Sequence, residues 1–194
     1  MPELARQTAA VLRALYERDE NTSAHCDRTC ALSLETGRAM GLAEAALATL
    51  RWAGRLHDIG KIGIPDHILF KPGRFDEAER EVMRTHPRRG HAILSSIPDP
   101  RIADIATIVL HHHEAMDGSG YPDGLRGEAI PVLARILCIV DAYDAIATVR
   151  PYHPAKPHAD VMRMLYDEQG RKFDAYVLAR FDRSIATSPY RATA

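Results

Sequence analysis

The sequence ALATLRWAGRLHDIGK, residues 46–61, decides the fold class. Ala46, Leu50 and Ala53 recur at the spacing of one helix face, and His57 continues that face near the end of the segment. The same periodicity runs through most of the chain, and no stretch alternates apolar and polar residues as a half-buried strand does. No internal repeat or linker divides the chain. The sequence therefore predicts an all-α, single-domain helical bundle.

Breaking and capping residues predict where the first helices end. We expect one helix to stop at Gly41 and the next, which carries the quoted segment, to end near Gly60. Two prolines and a glycine predict a loop over residues 62–74. Asp76, followed three residues later by a glutamate, has the pattern of a capping box, so we expect a helix from there to about His86.

The second half of the chain shows the same alternation of helices and breakers. Four glycines and two prolines predict a long irregular loop over residues 117–131. A helix from Pro131 to about Thr148 follows, because proline suits the first turn of a helix. A further helix is expected at about 158–169, and a short last element at 174–181. Residues 182–194 are expected to be a frayed tail.

Composition excludes several classes of protein. The chain has 194 residues, 46% of them hydrophobic, and 25 basic against 26 acidic side chains, so it is long and apolar enough for one globular core. Its net charge of −1 gives no electrostatic reason to expect a nucleic-acid polymer or a membrane surface as partner. The longest apolar run, residues 136–140, is too short to span a bilayer. Three cysteines without a CxxC pair predict free thiols in a cytoplasmic protein.

Imidazole and carboxylate side chains gather on the inward faces of the predicted helices. Asp141 and Asp144 lie on the apolar face of the 131–148 helix, where a buried carboxylate needs a partner. A metal ion supplies one, and the cysteines are too few for a thiolate zinc site. Lys61, one turn after His57, either interacts with the helix dipole or stabilises negative charge on a transferring phosphoryl group, and its position beside His57-Asp58 favours the second. The sequence thus predicts a metal site of histidine and aspartate ligands.

Several dense motifs identify a resemblance to a known family. They follow one another in this order: His57-Asp58-Ile59-Gly60-Lys61, Pro65-Asp66-His67-Ile68-Leu69, Lys71-Pro72-Gly73, His112-His113-Glu114, Asp117-Gly118, Gly120-Tyr121-Pro122, Asp141-Ala142-Tyr143-Asp144-Ala145 and Arg150-Pro151-Tyr152. Over residues 18–181 the chain resembles the HD-GYP domain, a bacterial subgroup of the HD superfamily of metal-dependent phosphohydrolases. Residues 1–17 would then form a helical extension and residues 182–194 a C-terminal tail.

The resemblance implies an all-helical fold and hydrolysis of cyclic di-GMP to linear pGpG or GMP. It implies two divalent ions, most often iron or manganese in this family, with Asp58 as the bridge. The metal ligands that it implies are His25, His57, Asp58, His86, His112, His113 and Asp141. Lys61 matches the lysine of the HDxxK motif and, with Asp58, would be catalytic. Tyr121, Pro122, Arg150 and Asp144 would contact the substrate.

Two positions depart from the family pattern. Asn21 stands where some members have a glutamate associated with a third metal, which is why we predict two metals. His153 stands where relatives often have a basic residue. This replacement would either weaken phosphate binding or change little. Two alternatives stay open: a catalytically weak module that binds cyclic di-GMP or a signalling protein, and a phosphohydrolase for another cyclic dinucleotide or a nucleoside phosphate. Homodimerisation through the amphipathic N-terminal segment also stays open.

Overall fold

Ten α-helices make up most of the part of the chain that this computed structural model describes, residues 2–148 and 155–193. They are α1 Pro2–Arg18, α2 Glu20–Ala39, α3 Glu44–Leu56, α4 Asp66–Leu69, α5 Glu77–Met83, α6 His86–Ser95, α7 Ile102–His111, α8 Val132–Ala147, α9 His158–Asp167 and α10 Ala175–Ile185. Two 3-10 turns, Ile59–Gly63 and Gly127–Ala129, lie between them. These ranges hold no strand beyond a single isolated bridge, so the predicted all-α fold is confirmed.

Helix α8 lies at the centre of the molecule. Ala134 and Leu137 pack into a core shared with α1, α3, α6 and α7, whereas Ile136 and Val140 pack into a second core with α2, α9 and α10. A helix that is buried on both sides has no need of a polar face, which explains its unbroken apolar run. The carboxylates that follow this run are consequently held inside the bundle.

The N-terminal helix α1 belongs to the first of these two cores, which it shares with α3, α6, α7 and α8. Leu4 and Leu15 of α1 are fully buried against it. The Arg18 guanidinium, at the end of α1, donates to the backbone carbonyls of Lys61 and Ile62 in the first 3-10 turn. The predicted extension is thus packed beside the segment that carries the histidine-aspartate pair.

The structure corrects the predicted boundaries around this segment. Helix α3 ends at Leu56 instead of near Gly60, because the chain tightens into the 3-10 turn. The predicted loop 62–74 contains the short helix α4. The capping box at Asp76 is confirmed, but its helix ends at Met83, and a separate helix, α6, which the sequence did not predict, begins at His86. Pro87 has no backbone N–H to donate to the preceding turn, so one helix stops and the next begins there.

The C-terminal end is more ordered than predicted. Helix α10 continues to Ile185, whose side chain is fully buried, so the expected fraying from residue 182 is wrong at its beginning. The backbone N–H of Ala192 donates to the Tyr143 hydroxyl at 3.0 Å. All three cysteines are buried free thiols, as predicted. Among the described residues no helix has both the length and the apolar content to cross a bilayer.

Candidate metal centre

Three helices end in the same hydrogen bond between a histidine ring and the backbone. The imidazoles of His57, His86 and His112 each place Nδ1 against the backbone carbonyl three residues earlier, at 2.9, 2.9 and 2.6 Å, at the C-terminal ends of α3, α5 and α7. These carbonyls lack helical partners, and a carbonyl can only accept, so each Nδ1 carries the proton. The lone pair therefore lies on Nε2, which points into the bundle in all three residues.

A backbone contact that only glycine permits brings two of these helix ends together. A Cβ on Gly60 would lie 1.9 Å from the carbonyl oxygen of His86 and 2.5 Å from the amide nitrogen of Gly90. The turn after Asp58 can thus lie directly against the first turn of α6. This contact places His86 beside the Asp58 carboxylate although the two belong to different elements.

The ligand atoms form two groups with Asp58 between them. In the first group the Nε2 atoms of His25 and His57 are 3.1 Å apart, and they lie 3.7 and 3.5 Å from Asp58 Oδ2. In the second group the Nε2 atoms of His86 and His112 are 3.4 Å apart, and His86 Nε2 lies 3.6 Å from Asp58 Oδ1. The two oxygens of one carboxylate face different histidine groups, which is the arrangement of a bridging ligand.

Asp141 spans the two groups in the same way. Its Oδ1 lies 3.1 Å from His25 Nε2 and 3.8 Å from His57 Nε2. Its Oδ2 lies 4.0 Å from Nδ1 of His113, whose ring packs against that of His112 with centroids 4.0 Å apart. The sequence assigned the bridging role to Asp58 alone, so this second spanning carboxylate is a finding of the structure. All seven predicted ligands lie together around the two carboxylates.

Four of the five histidines of the centre are held neutral. Burial lowers the pKa of His86 to about 4 and that of His112 to about 3. Burial also lowers the pKa of His57 and of His113. A neutral imidazole keeps a free lone pair at neutral pH, which is what binding to a metal ion requires.

The carboxylates of the centre are held ionised. Burial acts to raise the pKa of Asp58, but the Lys61 ammonium and the surrounding histidines outweigh it and hold that pKa well below its usual range. Burial is likewise outweighed at Asp141 by a hydrogen bond from His25. At His25 burial acts to lower the pKa, but hydrogen bonds to Asp141 and Asp144 raise it to about 9, so metal binding there would release a proton. Imidazole nitrogens and carboxylate oxygens without thiolates fit a pair of divalent ions.

Asp144 is enclosed by Arg28 and His25. Its carboxylate is 3% exposed and accepts from Arg28 Nε at 2.6 Å, from a terminal guanidinium nitrogen of Arg28 at 2.9 Å, and from His25 Nδ1 at 2.7 Å. Because both oxygens are engaged, the predicted substrate contact is corrected to a role that orients the His25 ring. Arg28 was not among the predicted site residues, although it lies three residues after His25 and so on the same face of α2.

Lys61 lies at the edge of the centre. Its Nζ contacts Asp58 Oδ2 at 2.6 Å, and its side chain is 20% exposed. This predicted catalytic cation is thus both paired with the bridging carboxylate and accessible from the surface.

The predicted substrate loop packs against the second histidine group. The ring of Tyr121 lies 4.8 Å from that of His113, and the neighbouring Pro122 exposes part of its surface. The loop is held by Glu114, whose two oxygens accept from the backbone N–H groups of Asp123 and Leu125 at 2.8 and 3.1 Å. This role of Glu114 was not predicted, because its partners lie nine and eleven residues further along the chain.

Three predicted positions are not covered. Arg150 and His153 lie outside the described residues, and so does the side chain of Asn21.

Comparisons with known proteins agree with this geometry. A family profile described as HD domain matches residues 9–177. The cyclic di-GMP phosphodiesterase response regulator RpfG of Xanthomonas campestris pv. campestris is 44% identical over 173 residues, which cover 89% of this chain and 46% of RpfG. The 3'3'-cGAMP-specific phosphodiesterase 2 of Vibrio cholerae is 35% identical over 177 residues, which cover 89% of this chain and 34% of that protein. The chain thus spans less than half the length of these curated relatives.

A solved structure shows the same fold. Bd1817, an HDG"Y"P protein from Bdellovibrio bacteriovorus, superimposes with a TM-score of 0.66 at 19% identity. The match covers 85% of this chain and 52% of that one.

Proposed function

Because the chain belongs to the HD domain family and is similar to a cyclic di-GMP phosphodiesterase response regulator, we propose that it is a metal-dependent phosphodiesterase that hydrolyses cyclic di-GMP to linear pGpG or GMP. The observation that carries the proposal is the pair of ionised carboxylates, Asp58 and Asp141, each lying between two groups of histidines. Spanning carboxylates are typical of sites that hold two metal ions for phosphodiester hydrolysis.

The two groups divide the proposed metal ligands. His25 and His57 would hold one ion and His86, His112 and His113 the other, with Asp58 and Asp141 shared between them. Two such ions would supply Lewis acidity toward a phosphate oxygen and would lower the pKa of a water molecule. We propose iron or manganese, in keeping with the nitrogen and oxygen donors of the site.

The remaining residues of the site would bind and orient the substrate. Lys61 would offset negative charge on the non-bridging oxygens of the phosphodiester, since its ammonium group is accessible and fixed beside Asp58. Burial raises the pKa of Tyr121, so its hydroxyl stays protonated and can donate a hydrogen bond to the substrate. Pro122 would form the adjacent wall, and Arg150 would hold a phosphate through two parallel hydrogen bonds.

The test is turnover of cyclic di-GMP under anaerobic conditions by protein loaded with Fe²⁺ or Mn²⁺. Products are separated by chromatography, and metal is counted on the same sample. We expect linear product and about two metal ions per chain. Asp58→Asn removes the charge shared by both groups and should lose metal and turnover together. Full metal content and full turnover in that variant would refute the mechanism.

A different cyclic dinucleotide is the second candidate substrate. The similarity to a 3'3'-cGAMP-specific phosphodiesterase supports it. Parallel measurement of kcat/KM for cyclic di-GMP and 3'3'-cGAMP separates the two substrates. Binding of either dinucleotide without turnover would instead indicate the weakly catalytic module. Homodimerisation, a signalling partner and a cytoplasmic location stay predictions.

A further inference from the structure

A cavity of about 280 Å³ opens beside the second histidine group. His113 and Tyr121 line it, and three cationic residues, Arg84, Arg171 and Lys172, line it from two other parts of the chain. Its volume lies just below the ~300–1,000 Å³ typical of small-molecule sites. A cavity of this volume suits part of a ligand of dinucleotide size better than the whole ligand.

Backbone hydrogen bonds fix the segment of Arg171 and Lys172 beside the loop that lines the cavity. The N–H groups of Met116 and Asp117 donate to the carbonyls of Lys172 and Arg171 at 3.2 and 2.8 Å. The turn that follows α9 is thereby held against the loop that carries Tyr121. Its position beside the metal centre is set by this pairing and by no motif in the sequence.

The three cations that line the cavity differ in the ion pairs that they form. Arg84 and Arg171 lie 2.7 Å from the carboxylates of Glu81 and Glu168 on their own segments. Lys172 Nζ lies 5.1 Å from the centroid of the Phe173 ring, and no carboxylate of the described residues forms an ion pair with it.

The acidic groups that line the cavity already have an ion pair or hydrogen bonds. Besides Glu168, Asp117 lines the cavity, and it accepts hydrogen bonds from the backbone N–H and the hydroxyl of Ser119. Three cations thus face two engaged carboxylates, and Lys172 is the cation that a ligand can reach without breaking an ion pair.

We propose that this cavity binds the nucleotide half whose phosphate lies away from the metal centre, and that Lys172 is a specificity-determining residue that contacts this phosphate. The inference rests on the proposed function, because a cyclic dinucleotide carries two phosphodiesters. While one occupies the metal centre, the other is a second anion held close by. An ammonium group at the cavity wall would form a charge-assisted hydrogen bond with that anion.

The experiment compares a ligand that has a second phosphate with one that lacks it. Bis(p-nitrophenyl) phosphate is a phosphodiester with a single phosphate, and its hydrolysis by the metal-loaded protein is inhibited by any ligand bound at the centre. The inhibition constant of cyclic di-GMP against this reaction is measured for the wild type, Lys172→Gln and Lys172→Arg. We expect Lys172→Gln to weaken inhibition about three- to tenfold, with Lys172→Arg restoring most of it.

Arg180→Gln is the matched control. Arg180 lies over the Tyr176 ring at 4.9 Å, much as Lys172 lies over Phe173, but it does not line the cavity. This control should leave the inhibition constant unchanged. In Lys172→Gln the metal content and the KM for bis(p-nitrophenyl) phosphate should also stay at wild-type values, which separates a ligand contact from a structural role.

Three results would overturn the inference. They are an unchanged inhibition constant in Lys172→Gln, an equal loss toward both phosphodiesters, and an absence of inhibition by cyclic di-GMP in the wild type. Inhibition without any linear product would instead refute the proposed hydrolysis of cyclic di-GMP while supporting the binding cavity, provided that Lys172→Gln weakens it.

Discussion

Replacing Arg28 with alanine should weaken the metal centre although Arg28 touches none of the proposed metal positions. Its guanidinium makes two hydrogen bonds, of 2.6 and 2.9 Å, to Asp144, which in turn accepts from His25 Nδ1 at 2.7 Å. The carboxylate orients the ring whose Nε2 faces Asp58 and Asp141. Without the arginine, Asp144 keeps a buried charge with one partner and no longer has a fixed position.

The size of the effect follows from the burial of the two partners. The side chain of Asp144 is 4% exposed and that of Arg28 is 27% exposed. Removing one member of a buried ion pair costs about 3–5 kcal/mol of the free energy of unfolding. Water can reach the carboxylate from the side on which Arg28 is exposed, so we expect about 2–3 kcal/mol here. Loss of a residue that orients a ligand typically lowers metal affinity about 10–100-fold.

The assay is a titration of metal-free protein with Mn²⁺ against a competing chelator, paired with urea denaturation. Arg28→Lys should recover part of the affinity, because lysine can replace one of the two hydrogen bonds. Arg55→Ala is the control: Arg55 pairs with Asp27 at 3.4 Å on the surface, with side chains 45% and 61% exposed. It should change neither metal affinity nor stability appreciably. Wild-type metal affinity in Arg28→Ala, or an equal loss in Arg55→Ala, would refute the reasoning.

Two further predictions concern stability. Burial lowers the pKa of His86 from 6.5 to about 4 and that of His112 from 6.5 to about 3. As pH falls from 6.5 toward 4, these histidines bind protons in the unfolded chain before they do so in the folded protein, so metal-free protein should lose stability over this range. His86 alone accounts for a loss of roughly 3 kcal/mol of the free energy of unfolding. His25, whose pKa is raised to about 9, acts in the opposite direction and costs stability as pH rises from 6.5 toward 9. A free energy of unfolding, measured by urea denaturation, that does not change between pH 7 and 5 would contradict this prediction. Gly60→Ala should cost about 3 kcal/mol or more and should lower metal affinity, since the new Cβ would meet the backbone of α6 and move it away from Asp58. An unchanged melting temperature in that variant would show that the contact is dispensable.

Much of the metal centre could be predicted because its signals are local. A histidine whose Nδ1 meets the carbonyl three residues earlier needs only its own helix end, and His57, His86 and His112 all use this device. The apolar face of α3 and the apolar run of α8 likewise place His57 and Asp141 inside the bundle. Such signals predicted the all-α fold, and the motif resemblance supplied the seven proposed ligands.

Local signals failed where the decisive contact is with another element. The sequence predicted one helix through to His86, but the chain breaks before Pro87 and the new helix packs against Gly60. Asp144 resembled a substrate residue, yet its partner Arg28 is 116 residues away along the chain.

The amino-acid sequence by itself predicted which residues would hold the metal ions, through the motif resemblance, and where most of the helices lie, since periodicity and capping act within about one helical turn. Only the tertiary structure decided that Asp58 and Asp141 each face both histidine groups, and that Lys172 reaches the cavity beside Tyr121. The direction in which a carboxylate oxygen points depends on how helices that are distant in sequence pack against one another. No spacing along the chain encodes that packing.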